Sequence, residues 1–362
     1  MNNKKYMFIG LGQTGNNLVS CLTEYKNLIA DPSKQAYYIN FSATDLASDF
    51  KGKTLLIDVG GTGKSPERGT EFVNANSHKI TEFLRRHFGQ LDADTEFVIL
   101  TSLGGGTGAS LTPFVLDYLN NSFPALKKSV VGVKSSIKEG ATTTPNMLKT
   151  YQKLFNNYVR TGNLGAFLIF DNDYFEKEYE ISGSNWNGLN THICSNLSKI
   201  LDDSFSKQSS EGFGSLDYNE KKKAQYFGKG LADFSSKQVN IGDEYEYKST
   251  IFDGKYSNKT SKYATALFKF RKKPSGLSEK DIAYADKLND YLKNYFKSGG
   301  IVVGYNFGNT DVEKDIEILV WSNGLDKPDR FLKSTEKKAI KSVEGIKKSH
   351  EEYDSDLSGL NF

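Results

Sequence analysis

Three glycine-rich stretches hold the residues whose types and spacing could do chemistry. The fullest is Leu103-Gly104-Gly105-Gly106-Thr107-Gly108-Ala109-Ser110, which follows an apolar run at 97–100 and precedes a helical pattern through Leu111, Val115, Leu116 and Leu119. Glycines there let the backbone reach positive φ and leave no side chain between main-chain N–H groups and a ligand. The free N–H groups at the following helix start, with the helix dipole behind them, favour an anion. Thr107 and Ser110 add hydroxyls at the same mouth. The stretch reads as a phosphate cradle; its plain alternative is a tight turn beside a sheet.

A second stretch, Gly10-Leu11-Gly12-Gln13-Thr14-Gly15, satisfies G-x-G-x-x-G between an apolar run at 6–9 and a helical pattern through Leu18, Val19 and Leu22. A dinucleotide site also wants an acid at the end of the second strand. That strand, at 36–39, ends in Asn40, and the nearest acid is Asp45. The third stretch, Asp58-Val59-Gly60-Gly61-Thr62-Gly63-Lys64-Ser65, imitates a Walker loop. Asp58 stands where that pattern needs its first glycine, so the stretch is a glycine loop that lines a phosphate site in another way.

The elements that must position these loops follow from periodicity. Apolar strands are predicted at 6–9, 36–39, 55–57, 97–100, 129–133 and 166–170, alternating with helices that include one from about 69 to 87 and one capped by Thr142-Thr143-Thr144. Each polar loop then falls at the carboxyl end of a strand, the rim where open parallel sheets bind ligands. Leu189, Ile193, Leu197, Ile200 and Leu201 recur at helical spacing, predicting a long helix from Trp186 to about 207. Beyond it the texture changes, with strands at 264–268, 301–305 and 316–321 around a helix at 278–296. Residues 330–349 form a lysine-rich amphipathic pattern on Phe331, Ile340, Val343 and Ile346, and the end is acidic. The expected fold class is α/β. A Rossmann-like parallel-sheet domain (1–185) is joined by a long central helix (186–208) to a smaller α+β domain (209–325), with an extended C-terminal helix and acidic tail (326–362).

A net charge of +3 is too small to argue direct nucleic-acid binding. The two cysteines, Cys21 and Cys194, sit among apolar residues on helices and read as reduced and buried, and the four histidines do not cluster as a zinc site would require. No signal peptide and no membrane span are expected, which points to a soluble cytoplasmic protein.

Taken together these residues resemble the tubulin/FtsZ family of filament-forming GTPases. The 104–110 stretch resembles its signature loop, and the other loops arrive in the family's order. Gly12-Gln13-Thr14-Gly15-Asn16-Asn17 is similar to the first tubulin loop, including its glutamine. Residues 61–69 resemble the third loop of FtsZ, and 134–140 the fifth, where Glu139 would contact the ribose. An arginine that FtsZ carries shortly afterwards is absent, with Thr143 near its place. Asn172-Asp173 is similar to the sixth loop, whose asparagine reads guanine. In the family the central helix brings an aromatic residue against the base and a polar one, four positions on, to its edge. Trp186 and Asn190 have that spacing; plain core is the alternative for Trp186.

Gly214-Ser215-Leu216-Asp217-Tyr218-Asn219-Glu220 resembles the family's catalytic loop, with Ser215 replacing a usual asparagine and glutamate as the second acid, as in α-tubulin. Without the other motifs, Asp217 and Glu220 would read as a solvated helix start. Length, divergence and the basic C-terminal helix are most like the TubZ branch, plasmid- and phage-encoded filaments that segregate DNA.

The resemblance implies binding of GTP and GDP with Mg²⁺, on backbone N–H groups of Gly12, Gln13, Thr14, Gly15 and Asn16, of Gly60, Gly61, Thr62 and Gly63, and of Gly104, Gly105, Gly106, Thr107 and Gly108. Gln13 and Asp58 are the residues expected near the metal. Asp217 and Glu220 would come from the next molecule of a head-to-tail filament and position the attacking water. A DNA-binding adaptor at a centromere-like site would dock near the C-terminal region, with no direct sequence-specific DNA contact and no membrane, in the cytoplasm of a bacterial host. Two alternatives stay open beside it: an FtsZ-like or phage-spindle filament not tied to plasmid partition, and a filament or adaptor protein that binds nucleotide without hydrolysing it. A Rossmann NAD(P)-dependent oxidoreductase using Gly10, Gly12 and Gly15 is the remote third.

Overall fold

Tyr6–Leu11 shows no polar alternation because both of its faces are covered, as in parallel sheets flanked by helices. Met7, Ile9 and Leu11 enter one core cluster, and Tyr6 and Phe8 enter another on the opposite face. The computed structural model describes residues 6–45, 50–89, 91–136, 139, 142–178, 185–201, 231–248, 263–296 and 300–325.

Among these, in chain order, lie β1 (Tyr6–Leu11), α1 (Gly12–Leu22), the one-turn α2 (Pro32–Gln35), β2 (Ala36–Asn40), β3 (Lys53–Leu56), α3 (Pro66–Ala75), α4 (Ser77–His87), β4 (Glu96–Ser102), α5 (Gly106–Ser122), β5 (Lys127–Lys134), α6 (Thr143–Leu154), β6 (Ala166–Asp171), α7 (Asn172–Glu178), α8 (Trp186–Leu201), β7 (Leu231–Val239), β8 (Tyr263–Phe270), α9 (Glu279–Tyr295), β9 (Ile301–Asn306) and β10 (Ile316–Leu325). The strands form one ten-stranded sheet in the order β3-β2-β1-β4-β5-β6-β7-β10-β8-β9. The first six are parallel. α1 and α8 cover one face through Leu18, Val19, Leu22, Leu189, Ile193 and Leu197. α4 and α5 contribute Ile80, Leu84, Leu111 and Val115 to the other.

The register fixes where the loops go. Leu11 is level with Ile39 and Thr101, Ser102 with Val133, and Lys134 with Asp171. The carboxyl ends of β1, β2, β4, β5 and β6 therefore share one rim.

Several local expectations change. The helix expected over 69–87 is two helices, broken at Asn76, whose backbone (φ −116°, ψ 14°) is not helical. The third strand lies at 53–56 rather than 55–57 and is a largely exposed edge, with the buried Ile57 just past its end. Thr142 precedes α6 without a capping side-chain bond. β7 has no counterpart in the sequence reading. It pairs parallel with β6 at Leu168–Ala232 and antiparallel with β10, so it carries the sheet from the first region into the second. The second region's own core forms from β8, β10 and α9, which starts in a capping box between Ser278 and Asp281. Asp217, Glu220 and the stretch 326–362 lie outside the described residues, as does the side chain of Trp186.

The contact between α8 and the second region is polar on one side. Lys199 pairs with the buried Glu317 at 2.8 Å, and Lys269 reaches the same carboxylate at 3.2 Å. Burial opposes ionisation of Glu317, but the two ammonium groups hold its carboxyl below the usual range. A cavity of about 380 Å³ opens here, lined by His192, Asn196, Lys199, Ser235, Ser236 and Glu317 among others. Asn196 Nδ2 donates to His192 Nε2 at 3.0 Å, which only the neutral ring accepts. Burial, reinforced by Lys199, depresses the imidazole from 6.5 to about 4. An unfolded chain therefore takes up this proton at a higher pH than the folded one, and stability is lost as pH falls from 6.5 towards 4. His192→Gln should flatten that part of a stability-versus-pH curve measured by urea unfolding; an unaltered slope would remove His192 from its cause.

Candidate functional site

Several glycines of the rim stand where neighbouring loops occupy the space a side chain would need. Gly12 sits at φ +70°, and a Cβ on it would stand 3.0 Å from Gly108 N. One on Gly106 would collide with Thr62 Oγ1 and Ser65 O. One on Gly104 would meet Ser135 Oγ at 2.9 Å. The glycine loops at 10–15, 58–65 and 103–108 and the end of β5 thus converge on one place. Gly60, Gly61 and Gly63 all have positive φ, at 71°, 77° and 60°, and Lys64 follows at 61°. The Gly61 N–H donates to Phe41 O at 3.0 Å, turning the third loop in over the end of β2.

Two helices start inside this cluster, and no side chain caps either of them. The N-caps of α1 and α5 are Leu11 and Gly105, whereas serines cap α3 and α9. Their first N–H groups stay available to a ligand, with both dipoles directed at the rim. Thr107 lies at this start. Ser110 does not serve the mouth as expected: its hydroxyl donates to Thr107 O at 3.0 Å and sits where a Cβ on Gly69 would fall. Gln13 is exposed, Thr14 half-buried and Asn16 buried. Asp58 is exposed, its Oδ1 accepting from Gly60 N at 3.4 Å.

The third and fifth loops are tied together. Lys64 Nζ donates to Glu139 O at 2.6 Å, and Asn146 Nδ2 to Lys64 O at 2.7 Å. A Lys64 engaged in this way is a strap between loops rather than a Walker lysine. The Glu139 carboxylate accepts from Ser136 N at 2.9 Å; burial raises its pKa, against the pull of that bond and of Lys64.

One group that sequence reasoning missed organises the far side. Lys134 is 1% exposed and pairs with Asp171 Oδ1 at 2.6 Å and Asp173 Oδ2 at 2.9 Å. Burial alone would lower its pKa, but the two carboxylates outweigh burial and raise it. Asp171 Oδ1 also accepts from Asp173 N at 3.1 Å, and Asp173 Oδ1 from Ser136 Oγ at 2.9 Å. These bonds grip Asn172 from both sides. The signal was a lysine ending the apolar strand Val130-Val131-Gly132-Val133.

Asn172 Oδ1 is buried with no hydrogen-bond partner, as are Asn16 Oδ1 and Asn40 Nδ2. A buried unmet polar atom is costly, and these three, near the starts of α1 and α7 and at the end of β2, match a polar ligand spread along one rim. From β1 through β4 and β5 to β6 is three strand steps, roughly 14 Å at about 4.8 Å a step, an extent suited to an elongated phosphate ester. Asn190 is half-buried on α8, which packs against α1, and its carbonyl accepts from Cys21 Sγ. No His/Cys/Asp/Glu cluster able to hold a metal occurs among the described residues.

A family model described as the tubulin/FtsZ family, GTPase domain, matches residues 5–178. The tubulin epsilon chain of Mus musculus is 34% identical over 97 residues, 26% of this chain and 20% of that protein. The tubulin-like protein TubZ of Clostridium botulinum C phage is 26% identical over 183 residues, 49% of this chain and 48% of that protein. The chain spans about half or less of the length of these curated relatives. A GTPγS-form protofilament of Bacillus thuringiensis serovar israelensis TubZ superposes with a TM-score of 0.76 at 16% identity, over 98% of this chain and 95% of that one. At that identity the likeness is one of fold.

Proposed function

Because residues 5–178 match the model of the tubulin/FtsZ family's GTPase domain, we propose that the whole chain binds and hydrolyses GTP and assembles head-to-tail into filaments. The observation that carries the guanine assignment is the unmet acceptor Asn172 Oδ1. Guanine offers N1–H and an exocyclic amine on the edge that an asparagine carbonyl accepts, whereas adenine offers an acceptor at N1. From the base at Asn172 the nucleotide extends across the rim, with its phosphates at the uncapped starts of α1 and α5. Glu139 meets the ribose, and Trp186 and Asn190 close over the base from α8. Gln13 and Asp58 are the side chains that would stand by Mg²⁺, which supplies charge neutralisation on the phosphate oxygens when bound.

Asp217 and Glu220 belong to the neighbouring molecule's half of the site and position the water. Phosphoryl transfer asks mainly for positioning and charge stabilisation, so a site can be completed in trans. A head-to-tail contact that does not close generates an open filament. The filament serves plasmid or phage DNA segregation, through a DNA-binding adaptor that docks on the C-terminal region in the host cytoplasm. Relatives bearing the TubZ name support this reading, one from a phage and one resolved as a two-stranded filament.

Equilibrium binding of fluorescent nucleotides tests the assignment. GTP is expected to bind at least ~100-fold more tightly than ATP, because a mismatched edge leaves buried polar groups unpaired. Asn172→Ala should erase most of that ratio. Equal affinities in the unaltered protein would refute a guanine site.

A further inference from the structure

Cys21 and Cys194 are the chain's two cysteines, far apart in sequence, and the fold brings them together. They face each other where α1 lies against α8. Cys21 Sγ donates to Asn190 O at 4.0 Å, and Cys194 Sγ to Leu18 O at 3.4 Å, so each thiol reaches the other's helix. Cys194 is fully buried, and Cys21 is partly open to solvent.

We propose that Cys21 and Cys194 form a reversible intramolecular disulfide that clamps α1 to α8 and slows nucleotide exchange. The first turn of α1 holds Gly12 to Asn16, and Asn190 lies one turn before Cys194 on α8. A cross-link therefore ties the phosphate wall to the base wall behind the pocket, a consequence that rests on the nucleotide reading above. The oxidant is a small disulfide such as oxidised glutathione. The Cys21 thiolate attacks one of its sulfurs; that S–S bond breaks, and one glutathione leaves and takes a proton. The Cys194 thiolate then attacks the Cys21 sulfur and expels the second glutathione, which takes the other proton. Two protein thiols are oxidised, and two electrons reduce one external disulfide to two thiols.

The roles follow from environment. The neighbouring Cys194 holds the Cys21 thiol below its ordinary pKa, against burial, while burial raises Cys194 well above. The partly exposed, more acidic thiol attacks and the buried one resolves.

The experiment incubates the full chain with oxidised glutathione and compares it with the reduced protein, by non-reducing peptide mapping and by release of fluorescent GDP. A monomeric species with a 21–194 cross-linked peptide, reversed by dithiothreitol, and severalfold slower GDP release are expected. Cys21→Ser should form no cross-link and release GDP at the same rate with or without oxidant. Glutathione adducts on the cysteines without a cross-link overturn the proposal, and so does a cross-link that leaves GDP release unchanged. If the reduced protein binds no guanine nucleotide, the functional reading and the exchange clamp fail together, and the peptide map still decides the disulfide.

Discussion

Glu220→Ala is expected to abolish GTP turnover while leaving GTP binding and assembly in place. The residues that hold nucleotide in this account, from Gly12 to Asn190, all lie on the rim or on the first turns of α8, whereas Glu220 follows the end of α8 at Leu201 by nineteen positions (220 − 201). On the proposed reading its carboxylate acts on the water bound by the preceding molecule. Loss of a group that positions or activates a nucleophile costs on the order of 10²–10⁴-fold in rate. Filaments that cannot hydrolyse keep their GTP and should persist. Phosphate release and sedimentation, run side by side, check both halves. Normal turnover by the variant would sink catalysis in trans by this acid, and loss of GTP binding would place Glu220 in the binding site instead.

Lys134→Met should be the most damaging single change to the rim itself. It leaves the carboxylates of Asp171 and Asp173 facing each other without the cation that lies 2.6 and 2.9 Å away. Breaking a buried ion pair by removing one partner costs about 3–5 kcal/mol, because the other charge stays buried and uncompensated. Asn172 stands between these two aspartates, so guanine affinity should fall with stability. Chemical denaturation gives the first number and nucleotide titration the second. Lys134→Met combined with Asp171→Asn and Asp173→Asn should recover much of the stability, since the stranded charges are gone. A cost under about 1 kcal/mol for Lys134→Met, the scale of an exposed pair, would mean that this network does not hold the rim.

The glycine loops were legible in the sequence because their chemistry is local. Gly12, Gly60, Gly61 and Gly63 need positive φ, and Gly104, Gly106 and Gly108 need the absence of a Cβ, so glycine itself announces each turn. The parallel strands were legible because burial on both faces makes them continuous apolar runs, as in Phe97-Val98-Ile99-Leu100. β7 was not, because Leu231-Ala232-Asp233-Phe234-Ser235-Ser236-Lys237-Gln238-Val239 turns several polar side chains into the cavity beside α8 and breaks the run. Asn76 ends a helix that amphipathic spacing would carry straight through. Lys134, the strap from Lys64 to Glu139 and the meeting of Cys21 with Cys194 are tertiary facts: each joins residues distant in the chain, and no periodicity reports them.

The account's central claim is that the pocket on this chain is completed by the next molecule. The measurement that tests it most directly is the rate of phosphate release from GTP across a series of protein concentrations, with light scattering recorded on the same samples. The prediction is negligible turnover below a threshold concentration and a linear rise above it, with scattering appearing at the same threshold. Turnover proportional to protein from the lowest concentration, with no threshold, would show an active site complete in one molecule and contradict the account.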